Sequence, residues 1–338
     1  MKINTGTYSS VEEANEYLSL IAQKYSGLNG YDYFMTDLLK ALNYTIYSKH
    51  QSATFINVTK KGKMRAHTLL VEDTRLLNGE ALFGFFECEN NIEVLHVLWG
   101  ELSEIAGNKS IQILKGPINS TIWHQYRVIK YSNNQYSFFN SEPLSMPWYY
   151  KMLKSLGPVE EVDYYSGRRD QFGNITELTK PSYEKLLAEG YRFHHTGIIT
   201  LELVKTLHRM SYEIFRQSWG FCKLDEQDFR SLYSDEKIDK HAGELYLAHK
   251  GDELVGFCST VRNENCLIMK TIGIIPQMQG KGIGNALVYM VHHDAMIKGI
   301  SGIIYALIRD VNKIRFFPKD DVTIFREYAC FTFKLDRP

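Results

Sequence analysis

Three glycines at alternate positions, Gly280, Gly282 and Gly284, stand between an apolar segment and a helical pattern. Glycine adopts positive φ at low cost and lets a ligand approach the main chain closely, so successive N–H groups can point into one concavity. At the start of a helix such donors bind an anion without any net positive charge. The spacing predicts a loop that binds a diphosphate. The alternative is a glycine-rich turn that serves only close helix packing.

Two other phosphate-binding loops do not fit the spacing. A P-loop needs Ser or Thr after Gly-Lys, but here Gly282 follows Lys281. A dinucleotide loop, G-x-G-x-x-G, needs a third glycine where Asn285 stands. Nucleotide hydrolysis and dinucleotide binding are therefore not favoured.

The segments on either side of the glycines predict the elements that position the loop. The apolar run from Leu267 to Ile275 indicates a strand, which Pro276 ends because proline cannot continue a central ladder. A helix follows, with apolar residues on one face at Ile283, Ala286, Leu287, Met290 and Val291. Residues 302–308 supply the next strand. Strand, helix and strand form a βαβ unit, which implies parallel strands joined by a right-handed crossover.

This segment resembles motif A of the GNAT acyltransferase superfamily, [QR]-x-x-G-x-[GA]. The motif is matched by residues 279–284, and the V-x-P element that precedes it in the family corresponds to Ile274-Ile275-Pro276. The resemblance implies an α/β (α+β) fold with a mixed, mostly antiparallel sheet, a central parallel βαβ unit and flanking helices. It also implies acetyl-CoA as cosubstrate.

The resemblance assigns roles residue by residue. Main-chain groups of Ile272 and Ile274 would contact pantetheine, and the N–H near Ile274 would polarise the thioester carbonyl. Asn312 would contact the cofactor, although it could equally be a turn residue. The residues that would line the diphosphate are Gln279, Gly280, Lys281, Gly282, Ile283, Gly284 and Asn285.

The sequence departs from the family at the expected acid and base. Lys270 stands where a strand carboxylate often acts as base, and Lys319 stands at the position of the usual tyrosine acid. Tyr328 is the candidate substitute acid, with an ordinary strand tyrosine as the alternative. Acyl transfer to an amine still needs a neutral nucleophile, so a base or a chain of water molecules is expected.

Histidine and cysteine patterns give weaker candidates. The pairs His194-His195 and His292-His293 are adjacent in sequence and match no metal-binding spacing, so no metal site is expected. Cys222 follows an aromatic segment that would shape the acceptor pocket or the core, and it is more simply a packed thiol than a nucleophile. The five cysteines, an odd number without a C-x-x-C pair, indicate buried, reduced thiols.

The first half resembles a degenerate second module of the same kind. It has the same order of strands and helix, but residues 87–91, Glu-Cys-Glu-Asn-Asn, replace the glycine loop, and two carboxylates there would repel a diphosphate. We therefore expect tandem GNAT-like domains. Residues 1–165 form the module without the diphosphate loop, and residues 190–338 form the acetyl-CoA-binding domain. Residues 166–189 connect the two, because residues 166–174 are polar and contain glycine, unlike their flanks.

Composition limits the partners and the compartment. The chain has 338 residues, enough for about two domains, and 39 basic residues balance 39 acidic ones. No overall field draws it to nucleic acid or anionic lipid, and the first residues lack the apolar stretch of a secretory signal. We expect a cytoplasmic N-acetyltransferase that acts on a small-molecule amine by direct attack in a ternary complex. The alternatives are a non-catalytic acyl-CoA sensor and a protein N-acetyltransferase.

Overall fold

A computed structural model describes residues 1–233, 243–310 and 321–335. The chain forms two compact units. The first unit comprises residues 1–164 and 326–338, and the second comprises residues 165–325. No helix among the described residues combines the length and the apolar character needed to cross a membrane.

The helices and strands are numbered in chain order. The helices are α1 (Asn15–Tyr25), α2 (Tyr31–Tyr47), α3 (Ile92–Asn108), α4 (Tyr149–Ser155), α5 (Gly173–Ala188), α6 (Leu201–Phe215), α7 (Glu226–Tyr233) and α8 (Ile283–Ile297). The first ten strands are β1 (Lys2–Gly6), β2 (Gln51–Lys60), β3 (Lys63–Asp73), β4 (Glu80–Cys88), β5 (Ile113–Gly116), β6 (Ile118–Asn119), β7 (Gln125–Tyr126), β8 (Val128–Ser132), β9 (Glu160–Arg169) and β10 (Tyr191–Thr196). The others are β11 (Leu245–Lys250), β12 (Glu253–Asn263), β13 (Cys266–Ile274), β14 (Gly302–Arg309) and β15 (Val322–Lys334).

The first unit is built on a mixed sheet in the order β1, β2, β3, β4, β5, β15, with β8 also paired to β15. All neighbours are antiparallel except β4 and β5, which helix α3 connects. Asn91 caps α3, and Val94, Leu98 and Leu102 bury one face of it in the core. The strand, helix and strand expected in this half are present as β4, α3 and β5.

The second unit has the strand order β9, β14, β13, β12, β11, β10. Strands β10 to β13 form an antiparallel meander, and β13 runs parallel to β14 across the helix α8. This is the predicted βαβ unit, with the strand, loop and helix where the sequence placed them. Residues 311–320 lie outside the described residues.

The boundaries of the units differ from the predicted ones. Residues 166–189, expected as a connection, form the end of β9 and helix α5, both within the second unit. Arg169, in this polar stretch, is fully buried, and its guanidinium donates to the Tyr305 hydroxyl at 2.9 Å and to Asp321 at 3.0 Å. The buried Arg169 therefore belongs to a polar network inside the second unit, whereas Asp170, Gln171 and Asn174 are exposed. Strand β15 returns to the first unit at Arg326, which the sequence pattern did not indicate.

A second part of that network orients a buried histidine. His292 donates from Nδ1 to the Val288 carbonyl at 2.7 Å, and its Nε2 accepts from the Tyr305 hydroxyl at 2.7 Å. These bonds fix the Nδ1–H tautomer of a neutral ring. Burial lowers the pKa of His292 to about 4. All five cysteines are also buried and none forms a disulfide, as predicted.

The free energy of unfolding should therefore decrease as the pH is lowered, in part because His292 is neutral in the folded chain. Its pKa in the folded chain lies below the usual 6.5, so its contribution is complete above pH 6.5 and is lost as the pH falls toward 4. The shift corresponds to up to about 3 kcal/mol. Unfolding measured between pH 7.5 and 4.5 should depend less on pH in His292→Gln than in wild type.

The neighbouring His293→Gln provides the matched control. His293 is only half-buried and stacks on Tyr289, so its replacement should leave the wild-type pH dependence intact. Equal pH profiles for the two variants would contradict the role assigned to His292.

Candidate functional site

The predicted glycine loop has positive φ at two of its three glycines, and the third, Gly284, lies in the first turn of helix α8. Strand β13 ends at Ile274, residues Pro276–Met278 form a single 3-10 turn, and helix α8 begins at Ile283. Gly280 has φ +79° and Gly282 has φ +91°, a region that side chains other than glycine occupy only with strain. The two glycines therefore permit the sharp entry into the helix.

The start of α8 is left without a side-chain cap. Gly282 is the capping residue and carries no side chain, and the first helical bond runs from the N–H of Ala286 to the carbonyl of Gly282. The N–H groups of Ile283, Gly284 and Asn285 consequently have no partner within the helix. These donors, together with the helix dipole, are suited to binding an anion at the start of this 15-residue helix.

Helix α3 of the first unit, which follows the corresponding strand β4, begins differently. There the Asn91 side chain accepts from the N–H of Glu93 at 2.9 Å and of Val94 at 3.4 Å. Its first amides are therefore satisfied by the protein itself. This helix start does not offer the free donors that α8 offers, which is consistent with a first module that lacks the diphosphate loop.

The strand that leads into the loop leaves one edge open. The parallel ladder between β13 and β14 runs from Cys266 and Gly302 only as far as Met269 and Tyr305. The N–H of Ile275 bonds to the Val255 carbonyl at 3.1 Å on β12.

Because main-chain groups alternate along an antiparallel strand, those of Ile272 and Ile274 face away from β12, toward the side on which β14 has departed. The side chain of Gln279 lies on this side too, with Nε2 donating to the Ile274 carbonyl at 3.1 Å. The structure thus brings together the predicted strand residues and the loop.

Two side chains flank the loop. Lys281 is exposed, and its ammonium lies 3.2 Å from the Met278 sulfur. Ser182 of α5 stands 3.5 Å from the position that a Cβ at Gly282 would take, and its hydroxyl lies 3.5 Å from Nδ2 of Asn285. The sequence reading missed Ser182, because α5 was assigned to a connecting segment and no local motif links it to the glycines.

The aromatic residues in the last turn of α6 and just after it divide between the core and the surface. Ile214 of α6 packs against β13, where a Cβ at Gly273 would meet its Cδ1 at 2.9 Å. Trp219 and Cys222 are buried, so they belong to the core. Tyr212 and Phe221 are only half-buried, with ring centroids 6.1 Å apart. These two rings are the better candidates for the acceptor side.

Tyr328, the candidate acid, is fully buried in the first unit. Its hydroxyl donates to Glu142, which also accepts from Nη1 of Arg326 at 2.5 Å. Burial raises the pKa of Glu142 and the Arg326 charge opposes that shift. This environment favours a structural role for the hydroxyl, and the acid role stays a prediction. Asn312 lies outside the described residues, as does Lys319.

One group of side chains in the second unit could hold a metal ion. Ligand atoms of His195, Glu244 and Asp294 all lie within 4.8 Å of one another, although they come from separate parts of the chain and so show no motif spacing. Lys298 donates to both oxygens of Glu244, at 2.7 and 2.9 Å, and supplies a positive charge there. The expectation of no metal site stays a prediction.

A family model matches the part of the chain that contains the glycine loop and helix α8. Residues 205–319 match the model of a family described as Acetyltransferase (GNAT) family. Comparison with curated protein sequences found no significant match.

Solved structures show the same fold over the whole chain. A tandem GNAT protein from the clavulanic acid biosynthesis pathway is 10% identical, with a TM-score of 0.58 and 99% of each chain covered. A GCN5-related N-acetyltransferase from Sphaerobacter thermophilus is 9% identical, with a TM-score of 0.53 over 99% of this chain and 96% of its own. A probable N-acyltransferase from Enterococcus faecalis V583 is 6% identical, with a TM-score of 0.57 over 99% and 73%. At these identities the likeness establishes a tandem GNAT fold.

Replacing Gly282 with alanine should separate folding from binding. A Cβ at φ +91° costs about 1 to 2 kcal/mol and also intrudes on the anion site. Gly299, at the other end of α8, has φ +64° and open space around it, so Gly299→Ala carries similar strain without touching the loop. We expect both variants to lose similar stability and only Gly282→Ala to bind coenzyme A at least tenfold more weakly by calorimetry. Unchanged affinity in Gly282→Ala would refute the loop assignment.

Replacing Tyr328 with phenylalanine tests the two roles of its hydroxyl. Loss of a buried hydrogen bond to Glu142 should lower the free energy of unfolding by about 1 to 3 kcal/mol. We expect turnover at a temperature well below the unfolding transition to stay within twofold of wild type. A fall in turnover of tenfold or more with unchanged stability would support the acid role instead.

Proposed function

We propose that this chain, whose residues 205–319 match the model of the Acetyltransferase (GNAT) family, moves an acetyl group from acetyl-CoA to the primary amine of a small molecule. The observation that carries the proposal is the uncapped start of α8 beside the open edge of β13. The helix start would bind an anion, and the strand edge would bind an extended chain that contains amides. Coenzyme A has both groups in one molecule, a diphosphate and a pantetheine arm.

In the reaction the amine nitrogen bonds to the acetyl carbon, the carbon–sulfur bond breaks, the amine loses a proton and the thiolate takes one up. The donors at Ile283, Gly284 and Asn285 would hold the diphosphate, and Lys281 adds a positive charge beside them. The main chain of Ile272 and Ile274 would pair with pantetheine as a further strand does.

The Ile274 N–H is the proposed donor to the oxygen of the thioester carbonyl. It lies on the open edge of β13, opposite the edge that pairs with β12. A donor aimed at the place where negative charge develops typically contributes about 3 to 4 kcal/mol to lowering the barrier. The fixed strand supplies this donor already oriented.

Strand β13 carries no carboxylate that could act as base, because Lys270 and Thr271 stand at the relevant positions. For an amine with a pKa near 10.4, deprotonation at pH 7 costs about 4 to 5 kcal/mol. We propose that solvent takes the proton and that positioning of the two substrates supplies much of the rate. The balanced net charge favours a small amine over a polyanionic acceptor.

Coenzyme A release from acetyl-CoA, measured with the full chain and a panel of amines, tests the proposal. The panel comprises amino acids, amino sugars, simple diamines and lysine-containing peptides. Gly299→Ala is the positive control and Gly282→Ala the negative one. We expect release above background with at least one small amine in wild type and Gly299→Ala, reduced at least tenfold in Gly282→Ala at subsaturating acetyl-CoA.

The other outcomes point to the rival functions. Acetyl-CoA binding without turnover on any amine would indicate a sensing protein, which the absence of a carboxylate on β13 makes the main alternative. Turnover on peptides alone would indicate a protein N-acetyltransferase. Absence of acetyl-CoA binding by folded wild-type protein would overturn the proposal altogether.

A further inference from the structure

The first unit contains a cavity of about 40 Å³ that the proposed reaction does not use. It is lined by residues of β4 together with Gln125 and Tyr126 of β7 and the adjoining Arg127. A water molecule needs about 10 to 15 Å³ measured in this way, so the space suits a ligand of a few non-hydrogen atoms. All the residues that line it belong to the first unit.

Arg127 is a buried charge without a compensating acid. Its guanidinium contacts two rings, with Cζ 3.5 Å from the centroid of Tyr126 and 4.0 Å from that of Tyr164, and it donates to the Tyr126 hydroxyl. Only 9% of the residue is exposed, yet across residues 1–233, 243–310 and 321–335 no carboxylate pairs with it and Nε has no partner. Burying a charge in this way is costly unless an anion accompanies it.

Gln125 presents an unused acceptor to the same cavity. The residue is 4% exposed, and its Nε2 donates to the Phe34 carbonyl at 3.1 Å. That bond fixes the amide and leaves Oε1 buried without a partner. A ligand that satisfied Arg127 with an anionic oxygen could satisfy Gln125 with an O–H or N–H group.

The buried carboxylate in the cavity wall does not neutralise Arg127. Glu87 accepts from Lys24 at 2.7 Å, from Tyr25 at 2.9 Å and from Tyr149 at 2.6 Å, so both of its oxygens are occupied. The positive charge of Lys24 offsets it. Arg127 therefore remains the uncompensated charge among the residues that line the cavity.

The backbone at this cavity is held in an unfavourable conformation. Arg127 has φ +94° and Phe85, which also lines the cavity, has φ +51°. Bulky residues rarely adopt positive φ, and such positions concentrate where a structure binds ligands. The strain is a separate observation from the missing partners.

We infer that the first unit binds a small carboxylate that carries an adjacent hydroxyl or ammonium group, with Arg127 donating to the carboxylate and Gln125 Oε1 accepting from the adjacent group. The inference does not depend on the proposed acetyltransferase activity. The size of the cavity restricts the ligand to about two or three carbons.

The test uses calorimetry and thermal unfolding of the full chain with glycolate, glycine, acetate and the neutral methyl glycolate. We expect glycolate or glycine to bind at least tenfold more tightly than acetate, and methyl glycolate not to bind. Arg127→Gln keeps the strained backbone and removes the charge, so it should weaken binding of the preferred ligand at least tenfold. Arg127→Lys, which keeps the charge, should weaken it less and serves if Arg127→Gln does not fold.

Two further variants complete the design. Arg65→Gln removes one positive charge from the same unit at a partly exposed ion pair with Glu89, and it should bind the preferred ligand as wild type does. Gln125→Met should reduce that ligand's affinity to the level of acetate. The inference is wrong if no carboxylate of the panel binds to folded wild-type protein, if methyl glycolate binds as well as glycolate, or if the Arg127 variants bind as wild type does. Water alone would then satisfy the buried groups.

Discussion

The second unit depends on main-chain groups that its fold leaves without partners. A parallel ladder that ran to the last residue of β13 would occupy the main-chain groups of Ile272 and the N–H of Ile274, but the ladder to β14 ends at Met269. The Ile274 carbonyl accepts from Nε2 of Gln279 instead. A serine or aspartate at position 282 would cap α8, but glycine stands there. The candidate site is thus made mostly of backbone. This explains how a chain with zero formal net charge can offer an anion site.

The two units share an arrangement of strands and helix but differ in the polar groups that this arrangement leaves unsatisfied. In both, a parallel pair of strands is joined by a helix on the sheet. In the first unit the Asn91 side chain caps the helix, and the unsatisfied groups that line its cavity belong to the side chains of Arg127 and Gln125. An uncapped helix suits a large flexible cosubstrate approaching from solvent, whereas a buried guanidinium in a small cavity suits a compact anion. A fold held in common therefore does not imply a ligand held in common.

The sequence predicted the elements formed by contiguous residues and missed the contacts between residues that are distant along the chain. The strand, glycine loop and helix around Gly282 are contiguous, and each has its own signal, in apolar runs, positive φ and helical periodicity. Ser182 reaches the loop from a helix a hundred residues earlier, and no pattern along the chain connects them. The polar residues at 166–174 suggested a linker because composition cannot distinguish solvent exposure from a buried network such as that of Arg169. Gln125 and Arg127 lie in a short, irregular segment whose importance only burial and missing partners reveal.

The path of strand β15 constrains the order in which the protein can form during synthesis. Ala329, Phe331 and Phe333 lie in the apolar core of the first unit with residues of β2, β3 and α3. These residues are translated after residues 165–325, so the first unit cannot complete its core until the whole of the second unit has been synthesised. The second unit is one continuous stretch of 165–325 and can close earlier. During synthesis the second unit should therefore fold before the first unit, which needs strand β15 to complete its core.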